Sequence, residues 1–171
     1  MVTWNTVGTQ TISVGYTDPV TQCAAAGPTG YPVLVKQLPV PVILSGPVSV
    51  CQGSSGHVYT AEPGMHDYTW SVTGGMITDG GTPASNTATV QWLDLGPQSI
   101  QVSYTDPVTL CTAAMPTSYP VTVKPLPVPT IGGPAAACLN SVGNQYYTEI
   151  GKLNYLWEIS GGTISAGPSP D

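Results

Sequence analysis

The chain contains one 36-residue passage twice, and this duplication constrains its fold more than any other feature. The first copy, Gly8–Ile43, reads GTQTISVGYTDPVTQCAAAGPTGYPVLVKQLPVPVI, and the second, Gly96–Ile131, reads GPQSIQVSYTDPVTLCTAAMPTSYPVTVKPLPVPTI. The copies are 88 positions apart and are identical at about 25 of 36 positions. Similarity at a fixed period is typical of an array of structural modules. We therefore predict a repeat architecture.

A second pair of segments defines the phase of the repeat. Residues 46–80 are similar to residues 133–167 at an offset of 87, with Cys, Glu, Tyr, Trp and Gly-Gly at matching positions. A repeat of this length is near the size of one small domain. We expect one complete module at residues 40–126, the C-terminal part of a preceding module at residues 1–39, and the N-terminal part of a following one at residues 127–171. The simplest explanation of this phase is a piece of a longer polypeptide.

Hydrophobic patterning in residues 40–126 predicts short β-strands. Apolar residues alternate with polar ones, and Gly or Pro interrupts the pattern about every 8 to 12 residues. The predicted strands are 41–44, 48–51, 57–61, 68–73, 76–78, 87–93, 99–105 and 119–124. The predicted core, which includes an aromatic pair of the following module, consists of Tyr68, Trp70, Val72, Val90, Trp92, Ile100, Val102, Tyr104, Val121, Val123, Tyr155 and Trp157. Seven or eight short strands around a central Trp predict an all-β, immunoglobulin-like sandwich.

The charge balance argues against two classes of partner. Charged residues make up 7% of the chain and the net charge is -6, with only three cationic side chains. So few cations cannot neutralise a nucleic-acid backbone or bind an anionic membrane surface. No apolar run approaches the roughly 18 residues that a membrane-spanning helix needs. We therefore expect no nucleic-acid partner and no membrane insertion.

Two Leu-Pro-Val-Pro segments separate the expected modules. Their prolines are Pro39 and Pro41 in the first segment, and Pro127 and Pro129 in the second. Proline has a fixed φ and no backbone donor, and it favours extended geometry in the residue before it. We expect these segments to be semi-rigid linkers between modules.

Several motifs together resemble a known family, the PKD-like, immunoglobulin-fold repeats of large secreted and cell-surface proteins, particularly those of Bacteroidota. The motifs are PVILSGP at Pro41–Pro47, VCQG at Val50–Gly53, YTA at Tyr59–Ala61, YTWSVTGG at Tyr68–Gly75, and VSYTD followed by Cys within Val102–Cys111. The chain departs from better-known PKD modules at one place, where WSVTGG replaces W-D-F-G-D-G and the acidic turn is missing. The resemblance implies the sandwich fold, and an architectural role as a spacer, stalk or adhesive unit.

The four cysteines, Cys23, Cys51, Cys111 and Cys138, are disulfide candidates. In a chain that resembles an extracellular module, Cys51 and Cys111 would close a loop of about 60 residues, which stabilises by roughly 4 kcal/mol in the chain-entropy model. Two buried thiols, or a disulfide between adjacent modules, are the alternatives. Cys23 and Cys138 have no partner within their own partial modules. Either this reflects where the sequence is cut, or the two meet when the front part of one chain completes the back part of the next.

No catalytic or metal site is predicted. His57 and His66 lack the paired spacing of a zinc site. Asp67 lies beside His66, but the sequence offers no nucleophile and no oxyanion-hole motif that would make the pair part of a catalytic triad. The pairs Asp18 with Asp106 and Glu62 with Glu149 could contribute to calcium binding, but capping of turns is the favoured role. Trp70 and Trp92 could form a carbohydrate platform, but their inward positions favour core packing. We expect no enzyme activity and no cofactor.

We therefore expect a structural repeat of an extracellular filament or of a bacterial cell-surface adhesin or stalk. Its partners would be neighbouring copies of the repeat, joined head to tail, either in one tandem polypeptide or by strands that one chain supplies to the next. The alternative is an accessory module of a secreted hydrolase that binds a carbohydrate such as a surface glycan. An exposed row of aromatic side chains on one sheet would favour that alternative.

Overall fold

The alternating sequence forms ten β-strands and no helix within residues 1–166, the part of the chain that the computed structural model describes. In chain order the strands are β1 (Gly8–Val14), β2 (Thr29–Val35), β3 (Ile43–Ser45), β4 (Ser49–Cys51), β5 (His57–Ala61), β6 (His66–Thr73), β7 (Gly75–Gly80), β8 (Thr87–Trp92), β9 (Gly96–Thr105) and β10 (Thr117–Lys124). These residues accordingly include no helix able to cross a membrane. The chain divides into two compact units, Met1–Pro125 and Leu126–Asp171, and all ten strands belong to the first. The predicted all-β class is confirmed.

Strands β3 to β10 form two four-stranded sheets. One sheet has the order β4-β10-β9-β6, and the other has the order β3-β5-β8-β7. The β4–β10 pair is parallel and all other neighbours are antiparallel. Between β6 and β7 the chain crosses from one sheet to the other at Gly74, whose φ of +69° favours glycine. Two sheets that are antiparallel except for one pair, with such a crossing, are consistent with the predicted immunoglobulin-like sandwich.

The core lies between the inner faces of these two sheets. Its three largest fully buried side chains are Trp92, Tyr59 and Tyr104, each at most 1% exposed. Of the predicted core residues, the structure buries Tyr68, Trp70, Val90, Trp92, Ile100, Val102, Tyr104, Val121 and Val123. Val72 is only partly buried, because β6 ends one residue later. The period-two alternation of the sequence therefore corresponds to the inner and outer faces of the sheets.

A hydrogen-bonded aromatic pair joins strands β5 and β8 inside the core. The rings of Tyr59 and Trp92 pack edge to face with centroids 6.0 Å apart, and Trp92 Nε1 donates to Tyr59 Oη at 3.2 Å. Tyr59 Oη in turn donates to the carbonyl of Pro47 at 2.9 Å. Burial raises the pKa of Tyr59 to about 12, so the phenol keeps its proton and remains a donor at neutral pH. Both polar atoms of the pair are thus satisfied inside an apolar core, as buried polar groups require.

Strands β1 and β2 form a separate two-stranded sheet within the first unit. Its register, which runs from Gly8 opposite Val35 to Val14 opposite Thr29, is the register of β9 and β10 shifted by one repeat. The loops that close the two hairpins are also alike, since an isolated bridge follows each first strand at equivalent positions. The duplicated passage therefore adopts the same structure twice, once inside the sandwich and once outside it.

Close packing at Gly46 makes a testable prediction about the stability of the sandwich. A Cβ atom at Gly46 would overlap the ring of Tyr59, whereas a Cβ atom at Gly27 would meet nothing within 4 Å. We expect Gly46→Ala to lower the free energy of unfolding by about 1–3 kcal/mol, the usual cost of overpacking a core. Gly27→Ala is the matched control and should leave it nearly unchanged. Urea unfolding followed by Trp fluorescence measures both, and equal midpoints would contradict the prediction.

Candidate functional site

The C-terminal segment, residues 127–166, repeats the backbone conformation of the first half of the sandwich without forming strands. Its isolated bridge between Gly132 and Tyr147 corresponds to the pairing of Ser45 with Thr60 in β3 and β5. Residues with positive φ recur at the same repeat positions: Asn140 for Gly53, Gly143 for Gly56, Gly151 for Gly64, Asn154 for Asp67 and Gly161 for Gly74. The turns of the segment are therefore formed although its strand partners are not.

Hydrogen bonds of the tyrosine side chains recur as well. Tyr155 Oη donates to the carbonyl of Glu149 at 2.7 Å and accepts from the backbone N–H of Lys152 at 2.8 Å. Tyr146 Oη donates to the carbonyl of Pro134 at 3.1 Å. In the sandwich, Tyr68 Oη likewise donates to the carbonyl of Glu62 and accepts from the N–H of Met65. Tyr59 Oη donates to the carbonyl of Pro47. Similar local sequence thus produces similar local structure in both places.

The apolar side of the C-terminal segment is an open groove with a volume of about 810 Å³. Its lining includes Ile131, Tyr155, Leu156 and Trp157, with the carboxylate of Glu149 at the same surface. Tyr155 and Trp157 were predicted to be core residues, but both are only partly buried. In the sandwich, β9 pairs with β6 and helps to cover the equivalent positions. The groove therefore contains the equivalents of two core residues of β6, Tyr68 and Trp70, beside Leu156, whose equivalent Thr69 is exposed.

The β1–β2 hairpin exposes the side chains that fill the corresponding space in the sandwich. Ile12 is 41% exposed, Val14 63% and Tyr16 74%. Their counterparts on β9, which are Ile100, Val102 and Tyr104, are at most 1% exposed. On the second strand, Tyr31 is 70% exposed, whereas its counterpart Tyr119 is partly buried and donates to the carbonyl of Gly46 at 2.8 Å. The β1–β2 hairpin therefore exposes to solvent the side chains whose counterparts form the core of the sandwich.

The carboxylate of Glu149 holds a different set of partners from its counterpart in the sandwich. In the sandwich, Tyr104 Oη donates to Glu62 Oε2 at 2.8 Å. In the C-terminal segment, Thr148 Oγ1 lies 2.6 Å from Glu149 Oε2, and Thr130 donates its hydroxyl to Oε1 at 2.7 Å and its N–H at 3.0 Å. The hydroxyls of Thr148 and Thr130 hold the pKa of Glu149 at about 2, below its ordinary value of 4.5.

The structure does not bring Cys51 and Cys111 together, and all four thiols are free. Cys51 ends β4 and lies opposite Lys124, the last residue of β10, whereas Cys111 lies in the loop before Thr117, the first residue of β10. The eight residues of β10 are separated by seven steps of about 3.3 Å, so the strand spans roughly 23 Å. A disulfide needs Cα atoms within about 7 Å, so this pair cannot form inside one sandwich of this shape.

A lysine connects the end of the hairpin to the loop that contains Cys111. Lys36, which follows β2, donates from Nζ to the carbonyls of Val108 at 3.1 Å and Thr109 at 3.2 Å. Both carbonyls lie in the β9–β10 loop, where Asp106 Oδ1 accepts from the N–H of Val108 at 2.7 Å. The backbone N–H groups of Val108 and Thr109, with a smaller effect of Lys36, lower the pKa of Asp106. Within the first unit, the duplicated passage is thus joined to the sandwich by a charged contact.

The remaining candidate residues occupy structural positions. His57 Nε2 lies 2.7 Å from Ser54 Oγ, and His66 is exposed at the start of β6. Asp18 caps the hairpin loop as Asp106 caps the β9–β10 loop, by accepting from backbone N–H groups, which lower its pKa. Within residues 1–166, no group of three His, Cys, Asp or Glu side chains could hold a metal ion.

The four predicted linker prolines differ in burial. Pro41 is buried, and its carbonyl accepts a hydrogen bond from Thr117 Oγ1, so it belongs to the sandwich. Pro39 is half-buried, whereas Pro127 and Pro129 are exposed. The first Leu-Pro-Val-Pro segment is therefore partly packed against the sandwich that follows it.

Part of the first unit matches a known domain family, and two solved structures are similar to the chain. The family model of the PKD-like domain matches residues 37–121. The crystal structure of domains 4 and 5 of the S-layer protein SbsC is 18% identical with a TM-score of 0.35, and the match covers 56% of this chain and 58% of that one. The structure of domains 4–9 of the surface layer protein SbsC is 15% identical with a TM-score of 0.36, over 83% of this chain and 23% of that one. The chain thus spans less than two thirds of either structure. No curated protein matches the sequence.

The hydrogen bonds at Glu149 predict how its carboxyl titrates. Because the folded-state pKa of Glu149 is depressed, the associated stabilisation is fully present above about pH 4.5 and is lost as the pH falls towards 2. We expect Thr148→Val and Thr130→Val each to raise this pKa, as measured by NMR titration of the side-chain carboxyl. Thr163→Val is the control, since within residues 1–166 only Thr148 and Thr130 direct hydroxyls at this carboxylate. An unchanged pKa in both test variants would contradict the assignment.

Proposed function

Because residues 37–121 are a PKD-like domain, we propose that the chain is a non-catalytic structural repeat of an extracellular filament or of a cell-surface adhesin or stalk. The chain has one complete module at residues 40–126 and complementary parts of two others at residues 1–39 and 127–171. The modules join head to tail, and the β1–β2 hairpin of one copy of the repeat completes the half-sandwich formed by residues 127–166 of another. The observation that carries the proposal is that the chain holds both an open groove and an exposed hairpin, and that the counterparts of the two pack together in the sandwich.

The strand pairing in the sandwich indicates how the hairpin of one copy would pair with residues 127–166 of another. There β9 pairs with β6 and β10 pairs with β4, so the hairpin lies in the middle of its sheet. Transfer of the β6–β9 register by one repeat sets Trp157 opposite Val14 and Ile159 opposite Ile12 of the docked hairpin. Strand addition of this kind satisfies the edges of both partners and covers their apolar faces in one step.

Two tyrosines of the hairpin provide directional bonds. Tyr16 is the counterpart of Tyr104, whose hydroxyl donates to the carboxylate of Glu62. In the completed module, Tyr16 would donate to Glu149 in the same way. Tyr31 is the counterpart of Tyr119 and would donate to the carbonyl of Gly133, as Tyr119 does to Gly46. These bonds add to the register that the alternation of apolar and polar side chains already specifies when one face of the hairpin is buried.

The free energies of burial and of association favour docking only if the whole apolar face of the hairpin is buried. A fully buried Val, Ile or aromatic side chain contributes about 1.5–3 kcal/mol. Association costs roughly 4–15 kcal/mol in lost translational and rotational freedom. The hairpin offers at least four such side chains, Ile12, Val14, Tyr16 and Tyr31, and its partner offers the exposed part of Tyr155 and Trp157. A complete face can thus offset the cost of association, whereas a single side chain cannot.

The alternative function, an accessory carbohydrate-binding module, needs aromatic rings exposed along a sheet of the sandwich. Trp92 is fully buried and Trp70 is 8% exposed, and both rings lie in the core. Saturable binding of a polysaccharide by the chain would nevertheless favour this alternative over the structural one.

The bond between Tyr16 and Glu149 provides a test of the proposed join. We expect Tyr16→Phe to weaken head-to-tail association about 10-fold, because a hydrogen bond to a charged group contributes roughly 1.5 kcal/mol or more. Sedimentation velocity over a concentration series measures the association. Tyr147→Phe makes the same chemical change at a side chain that is 69% exposed, and its counterpart Thr60 lies outside the core cluster.

Two outcomes would count against the join. Equal association constants for the Tyr16→Phe and Tyr147→Phe variants would contradict the predicted register between the docked hairpin and residues 127–166. Electron microscopy of the concentrated chain should show elongated particles, and discrete monomers alone would exclude assembly between copies.

A further inference from the structure

The outward faces of β4 and β10 place a cysteine next to a lysine at one end of the sandwich. Val50 lies opposite Val123 and Cys51 lies opposite Lys124 in the parallel β4–β10 pair. Both valines are buried, so the alternation of side chains directs Cys51 and Lys124 together to the outer face. Their strands are neighbours about 4.8 Å apart. A group that contacts the Lys124 side chain is therefore close to Cys51 as well.

Lys36 shows what a lysine at this position contacts. It is the counterpart of Lys124 one repeat earlier, and it donates to the carbonyls of Val108 and Thr109 in the sandwich that follows it in the chain. Cys111 belongs to the same loop, and its Sγ lies 3.6 Å from the Thr109 carbonyl oxygen. The hairpin loop has the same arrangement, since Cys23 Sγ lies 3.5 Å from the Thr21 carbonyl oxygen. Each loop cysteine is thus at the end that receives the preceding lysine.

We propose that the cysteine at the end of β4, or at its repeat equivalent, forms a disulfide with the loop cysteine of the module that follows. Between two copies of this chain, Cys51 is bonded to Cys23 of the next copy, and Cys138 is bonded to Cys111 of the next copy. This proposal rests on the proposed function, because the docked hairpin must bring its loop cysteine, Cys23, to Cys51 and must place Lys36 beside Cys138. The β4–β10 register transferred by one repeat produces that placement.

This connectivity differs from the two alternatives within single modules. Cys51 and Cys111 lie at opposite ends of β10, as described above. Cys23 and Cys138 are the repeat equivalents of the same two positions, so a completed module would hold them equally far apart. Pairing across the junction uses all four cysteines and leaves none unpaired within an array of copies.

The chemistry of each bond is an ordinary thiol oxidation. Two thiols lose two protons and two electrons as the sulfur–sulfur bond forms. Oxidised glutathione accepts both and is released as two molecules of reduced glutathione, through a mixed disulfide. Extracellular surroundings are oxidising enough for such bonds to persist. The junction between modules would then be held covalently, in addition to the contact of the lysine with the loop carbonyls.

The test uses equal amounts of ¹⁵N-labelled and unlabelled chain, mixed at the concentration at which the chain assembles and oxidised with a glutathione redox buffer. Free thiols are then blocked, and non-reduced chymotryptic peptides are identified by mass spectrometry. We expect two cross-linked species with mixed isotope content, Cys51 with Cys23 and Cys138 with Cys111. In the Cys51→Ser variant, Cys23 should become reactive towards alkylation while the Cys138–Cys111 link persists, and Cys138→Ser should show the converse.

Sedimentation of the same samples in reductant separates this proposal from the proposed function. Assembly in reductant without the two expected cross-links after oxidation would overturn the disulfide proposal alone. Links between Cys51 and Cys111, or between Cys23 and Cys138, would also overturn it. Monomers in reductant together with no cross-links would overturn both proposals.

Discussion

The pairing of a β-hairpin between β4 and β6 is the interaction on which the sandwich depends. Strands β9 and β10 lie in the middle of their sheet and contribute Ile100, Val102 and Tyr104 to the core. Without this hairpin the inner face of β6 and the edge of β4 would have no partner in that sheet. Because the burial of apolar surface is the main stabilising term in folding, loss of the hairpin would open the whole core. The C-terminal segment corresponds to the part of the sandwich that contains β4 and β6, and the β1–β2 hairpin corresponds to β9 and β10. Each lacks the partner that its counterpart has in the sandwich.

The C-terminal segment shows which features of the fold depend on residues close in sequence and which depend on distant ones. Its turns, its left-handed residues and its tyrosine bonds match those of the sandwich, although its apolar face is open. These features need only residues close in sequence. The strands themselves are absent from residues 127–166, because an extended backbone needs a partner across which to form its hydrogen bonds. In residues 127–166, therefore, the turns are formed while the sheets are not.

Much of the fold could be predicted from the sequence. The alternation around Tyr68, Trp70 and Val72 placed β6 to within two residues of its observed start, and the strand predicted at 57–61 has the observed bounds. Tyr59 was missed as a core residue, although the alternation of Tyr59 and Ala61 in β5 was a usable signal. Pro41 was predicted to be in a linker, but a tertiary hydrogen bond from Thr117 holds it in the sandwich.

The sequence by itself determined that one passage recurs, that its elements are strands, and most of the side chains that face inward. These properties follow from local periodicity and from the identity of turn residues, which each part of the chain carries with it. The tertiary structure decided which inward faces are covered, so Tyr104 is buried while the identical Tyr16 is 74% exposed. It also decided that Cys51 and Cys111 lie at opposite ends of one strand. Burial and the proximity of distant residues depend on the path of the chain in space, and no local pattern records that path.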